Sequence, residues 1–374
     1  MKIIIWLIAG GVVLSGIIIG IGIIQYKREV TETNPDYIIE LMKEKAKNNT
    51  ISLSINHNNE NWVQVNENIP LPLASTVKII IAIEYAKQAA DGRVNPNSNV
   101  SLKDLESYFV PKTDGGAHKA WLAQLKREQY TDKVPLKEVA NGMIAFSSNA
   151  NTDYLIQVLG LDRINQVLPQ LGIPNHEPIY PLVSSLFIPS RLMAEKNITK
   201  EEALTLLRDM DMEEYRNRAI HIHKNWHTEK PTANEKKRLI KEFDMEFQKV
   251  WSDRLTKATT KEYASLLSKL NRKEFFNMDV HEHLDPLMEQ LMKNPNNREW
   301  LLHAGQKGGS TAFVFTLAMY ATDKEGNQTE IAFFSNDLSI IEQAKLSQVM
   351  NAFQLEFLTN SDFREYVKSE LSHL

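Results

Sequence analysis

The longest uninterrupted apolar stretch of this chain lies at its beginning. Residues 3–24 form an uncharged run of 22 residues, with Lys2 before it and Lys27 and Arg28 after it. A helix rises about 1.5 Å per residue, so this run just spans a hydrocarbon core about 30 Å thick. The run therefore predicts a transmembrane anchor over residues 1–28. A cleavable signal peptide is the competing interpretation, although the run is long for one and lacks a clear A-x-A cleavage site.

Residues 29–374 show a mixed periodicity that is typical of an α/β (α+β) domain. The pattern predicts a first helix over Asp36–Lys45, strands over Ile51–Asn56, Trp62–Asn66, Thr311–Tyr320 and Thr329–Phe334, and a last helix over about Leu338–Phe357. We expect the last helix to return beside the first and to pack with it over the sheet. An all-helical part is predicted between the early and the late strands.

Residues 190–257 form a helical, charged segment within this domain. Thr199 and Glu202 make a capping box, and an apolar stripe follows further on. The stripe consists of Leu239, Ile240, Phe243, Phe247, Val250 and Trp251. Such a stripe usually belongs to a core, so we expect this segment to dock onto the helical part. A partner-binding arm is the alternative.

Composition mainly excludes functions. The 374 residues carry a net charge of −4 with acids and bases interspersed, so neither nucleic acid nor an anionic surface is indicated as a partner. The chain has no cysteine, which excludes disulfides, thiol catalysis, cysteine-based zinc sites and a lipoprotein anchor.

The first candidate for chemistry is an S-x-x-K pattern formed by Ser75 and Lys78. It opens the apolar helical run Thr76–Ala90, so both side chains project from one face of the first turn. Serine is a poor nucleophile until a base takes its proton, and lysine is such a base only when burial or a second cation lowers its pKa. Lys307 is the candidate second cation. The competing interpretation makes Ser75 a helix N-cap.

The second pattern, Ser147-Ser148-Asn149, lies between helices predicted over Leu136–Phe146 and Ala150–Leu159. At this turn the Ser147 hydroxyl is placed to relay a proton. The Asn149 amide is placed to bind a substrate amide and Lys78. A helix cap is the alternative for this pattern.

The third pattern, Lys307-Gly308-Gly309-Ser310, reads as a turn before the predicted strand Thr311–Tyr320. Two glycines beside a lysine allow a substrate to approach an edge strand closely. The backbone N–H groups of Ser75 and Ser310 are then predicted to form an oxyanion hole.

The three patterns in this order resemble those of the β-lactamase and penicillin-binding protein superfamily, most closely the class A β-lactamase-like serine hydrolases. Thr259–Ala264 and Leu284–Met288 extend the resemblance, which covers roughly residues 34–374. It implies an antiparallel sheet flanked by N- and C-terminal helices, with an all-helical subdomain.

The resemblance also implies functions for individual residues and no cofactor or metal. Ser75 becomes the nucleophile, Lys78 its base partner, Ser147 the proton relay, Lys307 the electrostatic anchor, and Asn149, Gly309 and Ser310 the substrate-binding residues. The catalytic domain is expected outside the cell, held to the cell membrane by a single-pass helix and facing the cell wall.

Three departures from the family pattern bear on the chemistry. The loop over Ile179–Pro189 contains no acid at the place where class A enzymes carry the glutamate that activates the deacylating water; Glu177 and Glu195 lie on either side of it. Gly308 replaces the usual hydroxyl residue, and the following strand has no arginine to bind a substrate carboxylate. These departures predict acylation followed by slow deacylation.

The histidines offer a second possible chemistry. His221, His223 and His227 lie close together, as do His281 and His283. A metal site needs three or four convergent ligands, so we expect surface histidines instead. We expect His118 either to line the cleft or to be exposed in a loop.

Two classes of function follow from these patterns. The preferred hypothesis is a serine hydrolase that forms an acyl-enzyme at Ser75 on a β-lactam, a cell-wall peptide or an ester. The alternative is a penicillin-binding receptor or a non-catalytic binding protein of the cell envelope. Acyl transfer requires Lys78 and Ser147 within about 3.2 Å of the Ser75 hydroxyl, or one water away.

Overall fold

The computed structural model describes residues 34–226 and 228–374. The predicted anchor lies outside these residues, as does His227. Within the described residues, no helix has both the length and the apolar character needed to cross a membrane.

A five-stranded antiparallel sheet forms the centre of the fold. Its strands are β1 (Ile51–His57), β2 (Glu60–Val65), β7 (Leu301–Ser310), β8 (Phe315–Asp323) and β9 (Gln328–Ser335). Short strands pair elsewhere as β3 (Leu71–Pro72) with β6 (Lys257–Ala258), and as β4 (Asn99–Ser101) with β5 (Lys133–Pro135). The order in the large sheet is β2-β1-β9-β8-β7, so β7 is an edge strand.

Helices cover both faces of the sheet and build the rest of the chain. They are α1 (Asp36–Lys45), α2 (Lys78–Ala90), α3 (Leu102–Leu105), α4 (Ala117–Arg127), α5 (Leu136–Ala145), α6 (Asn149–Leu159), α7 (Leu161–Leu171), α8 (Leu182–Ser185), α9 (Ile188–Lys196), α10 (Lys200–Asp209), α11 (Met212–Asn225), α12 (Ala233–Glu242), α13 (Met245–Asp253), α14 (Thr260–Arg272), α15 (Met278–Met288), α16 (Pro295–Arg298), α17 (Ile340–Thr359) and α18 (Ser361–Leu371).

Residues that alternate along β1 face opposite sides of the sheet, which separates two cores. Its apolar residues, such as Leu53, pack in one cluster with Ile38 of α1 and Phe353 of α17. The intervening Ser54 faces the other side, where its hydroxyl donates to Thr260 Oγ1 of α14 at 2.9 Å. The prediction that the last helix packs beside the first is therefore confirmed. Helix α18, which begins after the N-cap Asn360, was not predicted.

The segment 190–257 docks onto the helical part, as expected. Leu207, Trp226 and Phe247 of this segment pack in one buried cluster with Tyr108 and Tyr180 from outside it. A capping box starts α10, where Thr199 and Glu202 bond reciprocally.

The third pattern differs from the prediction in its secondary structure. Residues Lys307 to Ser310 end strand β7, whereas a turn over Thr311–Val314 replaces the predicted start of the next strand. The cause is the Thr311 hydroxyl, whose oxygen accepts the N–H groups of Phe313 and Val314, both at 3.1 Å. Threonine bonded in this way stabilises a turn despite the apolar residues around it.

Candidate active site

Ser75 lies in a short 3-10 helix, Ala74–Val77, immediately before α2. The preceding Ala74 has a φ of 44°, a left-handed conformation that alanine rarely adopts. The half-buried Ser75 side chain lines a cleft of about 920 Å³. Its hydroxyl bonds no other group in the described part of the chain, so it does not cap the helix. A strained backbone that presents a free hydroxyl to a cleft is typical of functional sites.

Two threonines fasten this 3-10 helix to the sheet. Thr76 Oγ1 and Thr316 Oγ1 of β8 lie 2.7 Å apart, and the Thr316 hydroxyl also donates to the Leu73 carbonyl at 2.9 Å. Both threonines are fully buried. The nucleophile candidate is therefore positioned by contacts to β8 as well as by its own helix.

Gly309 is the point where the edge strand meets Ser75. A Cβ atom placed on Gly309 would lie 2.4 Å from the Ser75 backbone nitrogen and 2.9 Å from the Leu73 oxygen. Only glycine allows this approach, because real Cβ atoms do not come within 3.0 Å of backbone atoms. The backbone of β7 therefore lies directly against the N–H of Ser75, the arrangement that the predicted oxyanion hole with Ser310 requires.

Lys78 is fully buried at the start of α2 and bonds the second pattern. Its Nζ donates to the Ser147 carbonyl at 2.7 Å, to Asn149 Oδ1 at 2.8 Å and to Ser147 Oγ at 3.3 Å. Burial, together with the nearby charge of Lys307, lowers the pKa of Lys78 well below its ordinary value. This is the condition under which a lysine can accept a proton.

Ser147 joins the two lysines. Its hydroxyl oxygen accepts from Lys307 Nζ at 3.0 Å as well as from Lys78, in a turn where Ser147 has a φ of 68°. Lys307 also donates to the Gly308 carbonyl at 2.6 Å. Burial lowers the pKa of Lys307 from 10.5 to about 7. When both lysines donate to Ser147, its own proton is left to point elsewhere, as a relay requires.

The predicted contact of Lys78 and Ser147 with the nucleophile is not made in the described structure. None of the hydrogen bonds of Lys78 or Ser147 within the described residues reaches the Ser75 hydroxyl, so the direct contact is absent. All three patterns nevertheless meet, because Ser75, Ser147, Asn149 and Gly309 line one cleft. Catalytic hydrogen bonds are often long without substrate and tighten in its complex.

Ser148 supports the second pattern without entering the cleft. Its hydroxyl oxygen accepts the Asn151 N–H at 3.2 Å, which caps α6, and bonds His118 Nδ1 at 2.8 Å. His118 is buried in α4 rather than exposed or in the cleft, and burial lowers its pKa to about 4. The expectation for His118 was therefore wrong, because the pattern does not show that α4 packs against α6.

Asp153 is a structural residue that sequence reasoning missed. Its buried carboxylate accepts the N–H groups of Leu182 and Val183, both at 2.9 Å, and burial raises its pKa to about 7. These bonds fix the loop after the second pattern so that Leu182 lines the cleft. The only signal in the sequence is that Asp153 follows Asn149 by four residues on one helix, which places both on one face.

Neither glutamate near this loop reaches the cleft. Glu177 Oε2 accepts the N–H of Lys257 at 3.0 Å, and Glu195 pairs with Arg218 at 3.1 Å. The cleft wall contributed by the loop is thus the apolar side chain of Leu182. Glu177 does not supply the missing acid in this arrangement.

The histidine clusters do not converge on a common point. His223 and His281 are buried, so the expectation of surface histidines was wrong for these two. Residues 34–226 and 228–374 contain no group of three or more histidines and acids arranged to hold a metal ion.

Comparison with known proteins identifies the family. The model of the β-lactamase enzyme family matches residues 35–352, which is most of the chain. The chain therefore belongs to the β-lactamase enzyme family. A comparison with curated protein sequences finds no match.

Several solved structures are similar in fold. A class A β-lactamase from Bacteroides cellulosilyticus DSM 14838 is 14% identical, with a TM-score of 0.51, covering 92% of this chain and 100% of its own. A β-lactamase from Sphaerobacter thermophilus DSM 20745 is 17% identical, with a TM-score of 0.52 and coverages of 85% and 95%. A mutant of PBP-A in an acyl-enzyme complex with penicillin-G is 16% identical, with a TM-score of 0.50 and coverages of 86% and 95%. The predicted antiparallel sheet with many helices agrees with this fold.

Proposed function

We propose that this protein is a serine hydrolase that forms an acyl-enzyme at Ser75 on a β-lactam, a cell-wall peptide or an ester. The observation that carries the proposal is the buried pair of lysines, Lys78 and Lys307, bonded to one hydroxyl, Ser147, beside the cleft that Ser75 lines. Burial lowers the pKa of both lysines, and the charge of Lys307 lowers the pKa of Lys78 further. Such perturbed groups concentrate at functional sites.

The reaction begins with proton transfer from the Ser75 hydroxyl to neutral Lys78, directly or through Ser147. A neutral amine has two N–H groups, which match the Ser147 carbonyl and Asn149 Oδ1 at 2.7 and 2.8 Å, and its lone pair is left for the proton. Ser75 Oγ then bonds to the substrate carbonyl carbon. The oxygen of that carbonyl takes up the displaced electron pair against the N–H groups of Ser75 and Ser310.

Collapse of this intermediate breaks the bond to the leaving group. Protonated Lys78 returns its proton to the leaving atom through the Ser147 hydroxyl, which restores neutral Lys78. Charged Lys307 anchors Ser147 during this transfer. Asn149 has its oxygen turned to Lys78, so its amide N–H groups are free to donate to a substrate carbonyl.

Deacylation is the slow step in this proposal. Water must attack the Ser75 ester, and a general base would normally activate that water. The loop offers Leu182 to the cleft, and Glu177 and Glu195 are engaged elsewhere. The same observation supports the alternative function, a penicillin-binding receptor or non-catalytic binding protein of the cell envelope.

One experiment separates these functions. Residues 30–374 are incubated with a fluorescent penicillin and, separately, with a fluorophosphonate, and the intact protein mass is followed over hours with Ser75→Ala as the control. A penicillin adduct that forms and then disappears indicates a hydrolase, and one that persists indicates a receptor. Labelling by the fluorophosphonate alone indicates an esterase-like site, and no adduct with either probe rejects acyl transfer.

We further propose that residues 3–24 hold the protein in the cell membrane as a single-pass helix, with the catalytic domain outside. The uncharged 22-residue run supports this location. The test is membrane fractionation of the full chain, followed by protease treatment of intact cells. Digestion of the catalytic domain in intact cells is expected, and its protection there contradicts the proposed orientation.

A further inference from the structure

The helical segment 190–257 also forms a wall of the cleft. Leu239, Ile240 and Phe243, at the end of α12, and Trp251 of α13 line the same cavity as Ser75. Phe243 and Trp251 are half-buried, and their rings meet edge to face at 6.1 Å. Part of the apolar stripe predicted from the sequence therefore faces the cleft while it also packs against the core.

Helix α13 is fixed across the end of the cleft from both sides. Trp251 Nε1 donates to Ser185 Oγ of the loop helix α8 at 2.9 Å. On the sheet side, the Ser252 hydroxyl donates to Thr311 Oγ1 at 2.8 Å, and Lys249 pairs with Asp337 at 2.8 Å. The wall is thus held in place by contacts to both parts of the fold.

The position of this wall relative to Ser75 determines which part of a substrate meets it. A leaving group must face Ser147, which is bonded to Lys307. The acyl chain departs from the carbonyl carbon in the opposite direction, along β7 toward Thr311. Thr311 follows Lys307 by four residues along the extended chain, a distance of about 13 Å. Because Thr311 is bonded to α13, the acyl chain runs toward Trp251 and Phe243.

The cleft is lined by few charged residues, which favours an uncharged substrate group at the end near α13. Of the described residues that line the cavity, only Lys112 and Asp114 carry charge, and they are of opposite sign on one loop. Among the residues that the structure describes, no arginine lines the cavity. Six residues of the segment 190–257 line the cavity, and five of them are apolar: Leu239, Ile240, Phe243, Trp251 and Leu255, with Gln248 as the polar one.

We propose that Ile240, Phe243 and Trp251 form an acyl-group subsite that selects substrates with an extended, uncharged apolar acyl chain. This inference rests on the proposed function of Ser75 as the nucleophile. The segment 190–257 then determines specificity, since it supplies all three side chains.

The subsite is tested first without acylation. In the Ser75→Ala protein, the dissociation constants of N-acetylglycinamide and N-hexanoylglycinamide are measured by protein-observed NMR. Burying four more methylenes is expected to tighten binding on the order of 100-fold. Equal dissociation constants for the two amides overturn the inference.

Substitutions test whether the residues of this wall cause the preference for the longer amide. In the same background, Phe243→Ala is expected to reduce the preference for the longer amide at least about tenfold, because truncation removes most of the aromatic contact. Ile240→Trp fills the subsite and is expected to abolish the preference for the longer amide. Met245→Ala is the matched control, since Met245 is an exposed apolar residue of α13 outside the cleft. An undiminished preference in both wall variants overturns the inference.

Acylation by p-nitrophenyl acetate and p-nitrophenyl hexanoate separates the two proposals. Ester adducts at Ser75 with no preference for the longer chain, together with equal amide binding, reject the subsite but keep the nucleophile. Chain-length-dependent amide binding with no adduct from either ester keeps the subsite and rejects the acyl transfer.

Discussion

Replacing Lys307 by methionine is expected to change how the stability of the protein depends on pH. The Lys307 side chain is 5% exposed, and burial lowers its pKa from 10.5 to about 7. At pH values between about 7 and 10.5, Lys307 holds a proton in the unfolded chain but not in the folded chain. The free energy of unfolding therefore rises with pH across this window, and it falls as the pH drops toward 7.

The two pKa values set the size of the effect. For a single lysine, the loss of folded stability is about 4 kcal/mol at pH 7 and about 2 kcal/mol at pH 9. Between pH 7 and pH 9, the free energy of unfolding of the wild-type protein therefore rises by about 2 kcal/mol because of Lys307. In Lys307→Met this position contributes no such rise. Lys78 acts in the same direction, because the charge of Lys307 also lowers its pKa.

The assay is urea denaturation of both proteins at pH 7, 8 and 9, compared as the difference between them so that groups unaffected by the substitution cancel. Lys324→Met, which removes an exposed lysine in the β8–β9 turn, serves as the control and should show no such dependence. A wild-type-to-variant difference that stays within about 0.5 kcal/mol between pH 7 and pH 9 would refute a buried lysine of lowered pKa at this position.

Three further predictions concern the cleft. Acylation should slow above about pH 7, because Lys307 loses the charge that anchors Ser147; rates of mass labelling that still climb at pH 9 would contradict that role. Gly309→Ala should abolish labelling, because its Cβ would lie 2.4 Å from the Ser75 nitrogen. The neighbouring variant Gly308→Ala should label normally, because its Cβ would meet only one backbone oxygen, at 3.4 Å. Equal labelling of the two variants would exclude the close approach of β7. Leu182→Glu should shorten the lifetime of the acyl-enzyme by placing a carboxylate in the cleft, and Leu182→Gln should not; matching lifetimes would show that this position cannot activate water.

Local patterns predicted most of the elements that carry the site. The helix after Ser75 and the turn at Ser147 were expected because apolar periodicity and polar interruptions are local properties of the chain. The turn between β7 and β8 was predicted at Lys307–Ser310 and lies at Thr311–Val314. It was misplaced because Thr311-Ala312-Phe313-Val314 has strand-like side chains, while the bonds to the Thr311 hydroxyl decide its conformation. A side chain that bonds the backbone two or three residues away overrides propensity.

Contacts between residues that are far apart in the chain could not be predicted from the sequence. No local signal shows that the Asp153 carboxylate fixes the loop at Leu182, or that α13 reaches Thr311, because both contacts depend on how distant helices pack. The same limit explains why His118 was expected in the cleft or in an exposed loop, and His223 at the surface, whereas both are buried. The resemblance to a family predicted which residues share the cleft, and the structure shows which groups they bond.

The most direct test of the account locates the covalent bond. After reaction with a fluorophosphonate, the protein is digested and the modified residue is identified by tandem mass spectrometry, with Ser75→Ala and Lys78→Met treated in parallel. One adduct is expected on Ser75, none in Ser75→Ala, and strongly slowed labelling in Lys78→Met. An adduct on Ser147 or elsewhere in place of Ser75, or labelling of Lys78→Met at the wild-type rate, would contradict the assignment of nucleophile and base.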